Sequence, residues 1–92
     1  MVEIHPRIMQ RHPELTEDDV RFAWDNYVVG ASRVALEREV RVGCDADGRE
    51  IEMVGARTEN GWLVFHAMTP PSKKTKQEIR RDGQIRSKKG NR

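Results

Sequence analysis

Of the three histidines in this sequence, His66 stands where positive charge is densest. It lies near the end of the run Gly61 to Met68, which breaks at Pro70-Pro71 and enters a segment carrying Lys73, Lys74 and Lys76. An imidazole titrates near neutral pH and can serve as general acid or base. Cationic side chains can hold a phosphodiester and stabilise the charge that develops on it in the transition state. With Arg49 and Arg57 on the preceding stretch and Arg80 extending the lysine set, the combination is chemically sufficient for metal-independent RNA cleavage, where the ribose 2′-hydroxyl is the nucleophile. In that scheme His66 moves the proton, Arg49 and Arg57 stabilise the transition state, and Lys73, Lys74, Lys76 and Arg80 bind the RNA backbone. The competing reading of His66 is a half-buried strand residue satisfied by a neighbour.

Other chemistries find no foothold. The chain has no phosphate-binding glycine loop, no dinucleotide fingerprint, no CxxC pair and no HExxH. His5 and His12 have no third ligand at metal spacing, so neither a metal nor any other cofactor is expected. The carboxylates fall on turns and on a helix N-terminus, each with a structural explanation. The single cysteine, Cys44, cannot form an internal disulfide and reads as a buried thiol. Few aromatics stand near the basic end, which argues against a stacking platform for single strands.

The elements that must carry these residues are legible in part. Ninety-two residues make one small domain with a thin core, 36% apolar against 35% charged. Pro6 suits the start of a short helix ended by Pro13. Thr16 is an N-cap with Glu17, Asp18 and Asp19 on the first turn, and Leu15 and Val20 occupy the staple positions. Val20, Ala23, Trp24, Tyr27 and Val28 form one helical stripe, predicting a helix packed on a sheet. Gly30 to Glu39 reads as an irregular connection carrying Arg33 and Arg38. The period then changes to two: Val40, Val42 and Cys44, a turn at Asp45-Ala46-Asp47-Gly48, then Ile51, Met53 and Gly55. Asn60-Gly61 signals a hairpin. A two-residue loop there would set Gly55 opposite His66 and place Val40, Val42, Ile51, Met53, Trp62, Val64, His66 and Met68 on one face, an assignment that a bulge would partly swap. Ser72 can cap a polar helix from Lys73 to Asp82, with Gly83 as its stop.

The expected class is therefore α+β: two N-terminal helices packed on a small antiparallel meander sheet of three to four strands, followed by a short basic C-terminal helix. Residues 1–83 form the domain and 84–92 a flexible basic tail. Residues 73–92 hold nine Lys or Arg against Glu78 and Asp82, so a net charge of +2 conceals a basic end on an acidic body. That polarity fits a phosphate backbone or an acidic protein partner. No stretch is long enough to span a bilayer and no signal-peptide pattern opens the chain, so a cytoplasmic protein without a membrane partner is expected.

Arg11-His12, then Leu15-Thr16-Glu17-Asp18-Asp19-Val20, then Gly48-Arg49-Glu50-Ile51-Glu52-Met53-Val54, and finally Val64-Phe65-His66-Ala67-Met68-Thr69 before the lysines, resemble the BrnT toxins of the RelE/ParE superfamily in order and spacing. The resemblance runs from about Ile8 to Arg81. It implies a small α+β ribonuclease toxin of a type II toxin–antitoxin pair, acting on mRNA and neutralised by a tightly bound cognate antitoxin. Where that family carries a Ser-Ala-Arg-like triplet, this chain has His66-Ala67-Met68, so no catalytic role passes to Met68. The family's opening strand is not evident in Met1 to Pro6. The alternative is a non-catalytic relative whose basic C-terminal helix binds an acidic protein or nucleic acid.

Overall fold

The computed structural model describes residues 1–33 and 37–85. Its architecture is α+β. Strand β1 (Val2–Ile4) is followed by helices α1 (Arg7–Arg11) and α2 (Glu17–Asp25). Strands β2 (Tyr27–Arg33), β3 (Arg38–Cys44), β4 (Glu50–Thr58) and β5 (Gly61–Met68) come next, then helix α3 (Lys73–Asp82) and the two-residue strand β6 (Gln84–Ile85). The sheet order is β1-β5-β4-β3-β2-β6. Strands β2 to β5 pair antiparallel in sequence, whereas β1 lies parallel to β5 with Glu3 opposite Leu63.

The sheet is thus larger than a meander of three to four strands, and mixed. A strand, not a helix, opens the chain. It went unseen because three residues paired with a strand far along the sequence leave no local period. The connection expected over residues 30–39 is in part the end of β2 and the start of β3, with residues 34–36 outside the description. Of the expected tail, Gln84–Ile85 pair with β2 and residues 86–92 lie outside the described residues.

Helix α2 begins where its capping chemistry requires. The Thr16 hydroxyl accepts from the Asp19 amide, and the Asp19 carboxylate accepts from the Thr16 amide, both at 3.0 Å. This capping box satisfies two orphan donors at once and is worth about 1 kcal/mol. The helix stops at Asp25, so Tyr27 and Val28 belong to β2, not to the helical stripe. Positions i+7 and i+8 fit a helix as easily as a strand, and β-branched Val28-Val29 favours the latter.

Two faces of the sheet are covered differently. Ile8, Leu15, Val20, Ala23 and Trp24 from the α1–α2 layer pack on Ile51, Met53, Val64 and Ala67. The Trp24 indole lies where a Cβ on Gly55 would be, 2.6 Å from Cη2, so only glycine admits the ring there. Arg41 stacks its guanidinium over Trp24 at 4.0 Å and Tyr27 at 4.1 Å, and donates to the Trp24 carbonyl. On the opposite face α3 crosses toward β2, and Ala31 and Val40 are buried.

The strand faces differ from the expected assignment. Val40 pairs with Val54 and Arg41 with Met53, so Val40 and Val42 point away from Ile51 and Met53. In the hairpin, Gly55 pairs with Val64 but Val54 pairs with His66, which leaves Phe65 as the extra residue of a bulge. That inserted residue turns His66 to the α3 face while Val64 stays in the α2 core. Among the described residues no helix is long and apolar enough to cross a membrane.

Candidate functional site

The bulge at Phe65 brings His66 beside Glu52, since Val54 is opposite His66 and Glu52 lies two residues along the same face. Nε2 of His66 sits 2.6 Å from Oε2 of Glu52. The other carboxylate oxygen, Oε1, accepts from the Ser72 amide at 2.7 Å. Ser72 is the N-cap of α3, and its hydroxyl accepts from the Thr75 amide at 3.2 Å. One carboxylate therefore ties β4, β5 and the start of α3 together.

The electrostatics follow from burial and donors. The Glu52 side chain is 6% exposed, against 39% for His66. Burial pushes the Glu52 carboxyl up, but hydrogen bonds from His66, the Ser72 amide and the Thr75 and Ser72 hydroxyls outweigh it and hold the group down at about 2. Glu52 is thus ionised at neutral pH, and a carboxylate can only accept. Nε2 of His66 must then carry the hydrogen, which leaves Nδ1 with the lone pair in the neutral ring. A fixed tautomer with its basic nitrogen defined, on a half-exposed ring, is the arrangement proton transfer requires.

His66 also lines a cleft of about 90 Å³ with Arg7, Ile8, Arg11, His12, Phe65 and Ala67. The cleft exists because β1 ends at Ile4, opposite Val64, and the His5 amide donates to the Val64 carbonyl as the chain turns away. Beyond Val64 the outer edge of β5 has no strand beside it among the described residues, and α1 packs against β5. Arg7 and Arg11, one turn apart on α1, are both exposed. Just before α1, whose N-cap is Pro6, Nδ1 of His5 accepts from the Arg7 amide at 3.0 Å.

The remaining predicted site residues are spread out. Arg49 pairs with Asp45 at 2.9 Å and with Asp19 at 3.3 Å, on the α2 side. Arg57 lies over the Trp62 ring, 4.5 Å from its centroid, near the hairpin tip. These two arginines bracket β4, about 26 Å apart along the strand, and neither is brought to His66, which pairs with mid-strand Val54. Lys73 and Lys74 open α3 directly after Ser72 and are exposed. Lys76 and Arg80 instead line a groove of about 360 Å³ with Val29, Val42, Glu50, Pro71 and Ile79.

Glu52, Arg7 and Arg11 were missed from sequence. Glu52 alternates with Glu50 as if on a wet face, and only the bulge and the turn into α3 bury it. The signal that could have exposed it is an ionisable pair, Glu52 and His66, straddling a hairpin. Among the described residues no group of three His, Cys, Asp or Glu could hold a metal ion. Compared with known proteins, the chain matches no family model, no curated protein and no solved structure.

Proposed function

We propose that this protein cleaves RNA without a metal, as the toxin component of a toxin–antitoxin pair. The observation that carries the reading is His66, half exposed, with one ring nitrogen held by the buried, ionised Glu52 at 2.6 Å. The neutral imidazole takes the proton of a ribose 2′-hydroxyl, whose oxygen attacks the adjacent phosphorus. The bond to the 5′-oxygen breaks, leaving a 2′,3′-cyclic phosphate, and the imidazolium returns its proton to the departing 5′-oxygen. Glu52 does not touch the substrate; it positions the ring and stabilises the imidazolium formed midway. Lys73 and Lys74, one and two residues beyond Ser72, offer cations to the phosphate backbone. The order of strand, two helices, four antiparallel strands and basic helix supports the RelE-like reading, β1 standing where that family has its opening strand.

Purified protein mixed with RNA in excess chelator tests this. Cleavage with 2′,3′-cyclic phosphate ends is expected, falling at least ~100-fold in His66→Ala. Equal rates in that variant would remove the mechanism.

A second reading, a non-catalytic protein that binds an acidic partner, draws on the groove between α3 and the β2–β3 strands. There Val29, Val42, Pro71 and Ile79 lie beside Lys76 and Arg80, a composition suited to an acidic amphipathic segment. Stable capture of such a segment by a protein with no turnover would favour it.

A further inference from the structure

We propose that the cleft between α1 and the uncovered edge of β5 is an anion subsite, in which Arg7 and Arg11 hold a backbone phosphate of RNA next to the one at His66. This rests on the RNA reading above and adds to it a second, separate contact surface.

Its lining contains two arginines, two histidines, Ile8, Phe65 and Ala67, and no carboxylate. On a body that is net acidic, that makes the cleft a locally positive hollow. Arg21, Arg41, Arg49 and Arg81 are each paired with a carboxylate and Arg38 and Arg57 lie over aromatic rings, whereas Arg7 and Arg11, like Arg80, have no ion pair among the described residues. Their spacing of four residues puts both on one face of the helix, and both line the same cleft. A guanidinium fork matches two phosphate oxygens, and two forks on one anion give charge as well as orientation. With about 90 Å³ of space and an open mouth, the cleft admits a phosphate group.

The cleft also has the right position. His66 lines it, and the same residue is bound to Glu52, whose second oxygen receives the Ser72 amide one residue before Lys73. Arg7 and Arg11 belong to the helix layer on one face of the sheet, and Lys73 and Lys74 open the helix that Ser72 ties to Glu52 on the other, with His66 on the strand between them. A single strand crossing this rim meets cations before and after the imidazole. His12 also lines the cleft, and its Nδ1 is 3.6 Å from Glu14.

The probe is a fully 2′-O-methylated RNA 10-mer, which cannot be cleaved, followed by fluorescence anisotropy across a salt series with the full-length chain. The double variant Arg7→Gln/Arg11→Gln is expected to bind at least ~10-fold more weakly, with a log–log salt slope shallower by about 0.7, the value for one lost phosphate contact on a single strand. Unchanged affinity and slope would overturn the subsite, as would no binding by the wild type. Should the double variant not fold, ring-proton NMR of the wild type decides: the His12 and His66 resonances must move together on titration, and a His12 signal that stays put overturns the proposal. Failure of the subsite and failure of the function are distinguishable. Wild type that cleaves normal RNA while the variant binds the probe as tightly as wild type loses only the subsite. Wild type that binds through Arg7 and Arg11 but turns nothing over loses only the cleavage reading.

Discussion

At the scale of single residues, Glu52 matters more than any cation. Its carboxyl is held at about 2 in the folded chain, down from the ordinary 4.5. The folded state therefore binds this proton less readily than the unfolded chain does. The stabilisation is fully present above pH ~4.5 and is lost as the pH falls through 4.5 toward 2. Glu52→Gln should flatten that acid limb of a thermal-melt series and lower stability at neutral pH by about 2 kcal/mol, since a charge-assisted bond to the Ser72 amide is weakened. An unchanged acid limb would mean the group does not carry this linkage. His66 stands out in the sequence by residue type and neighbours, and the structure adds its bond to Glu52. That partner does not stand out, because a glutamate in a strand reads as solvated until the register is known.

At the scale of elements, the capping box at Thr16 and Asp19 is the part most directly written in local sequence, and α2 begins where it says. Its end is less legible, because Tyr27 and Val28 satisfy two periods and the sheet decides between them. The hairpin at Asn60-Gly61 was also readable, but its register was not: Phe65 is an ordinary strand residue by type, and the bulge there reflects packing on both faces. The fit of α2 to β4 depends on Gly55, against which the Trp24 ring rests. Gly55→Ala should destabilise by about 1–3 kcal/mol through overpacking. Gly48→Ala at the β3–β4 turn would instead report on backbone strain, as Gly48 has φ +87° and no atom within 4 Å of an added Cβ. Denaturant midpoints compare the two; a Gly55→Ala midpoint equal to wild type would show that the indole moves aside freely.

At the scale of the whole molecule, the cations divide into structural and available sets. Arg49 links the β3–β4 turn to the start of α2 by pairing with Asp45 and Asp19. Burial raises the Asp45 carboxyl, but hydrogen bonds from the Arg49 amide and side chain and the Asp47 amide hold it below its usual range. Arg49→Ala is expected to cost about 1 kcal/mol, because the Arg49 side chain is 38% exposed and the buried Asp45 carboxylate keeps its two amide donors. For a domain of this size that is a melting-temperature drop of about 4–8 °C. RNA cleavage measured well below the melting point should be unaffected, and a large fall in kcat would return Arg49 to the catalytic set. Sequence alone could not sort the arginines, because a charge in a turn and a charge in a cleft look alike until long-range neighbours are known.

The parallel pairing of β1 with β5 has a consequence for how the chain acquires its shape during synthesis. Glu3 meets Leu63, sixty positions later. At about 5–20 residues per second, translation leaves the first strand without its partner for roughly 3–12 s. The cleft beside His66, which needs α1 seated against that same late strand, cannot exist before then. The bond between Glu52 and His66 likewise waits on that strand, so the edge of the sheet and the carboxylate at its centre are completed in the same interval.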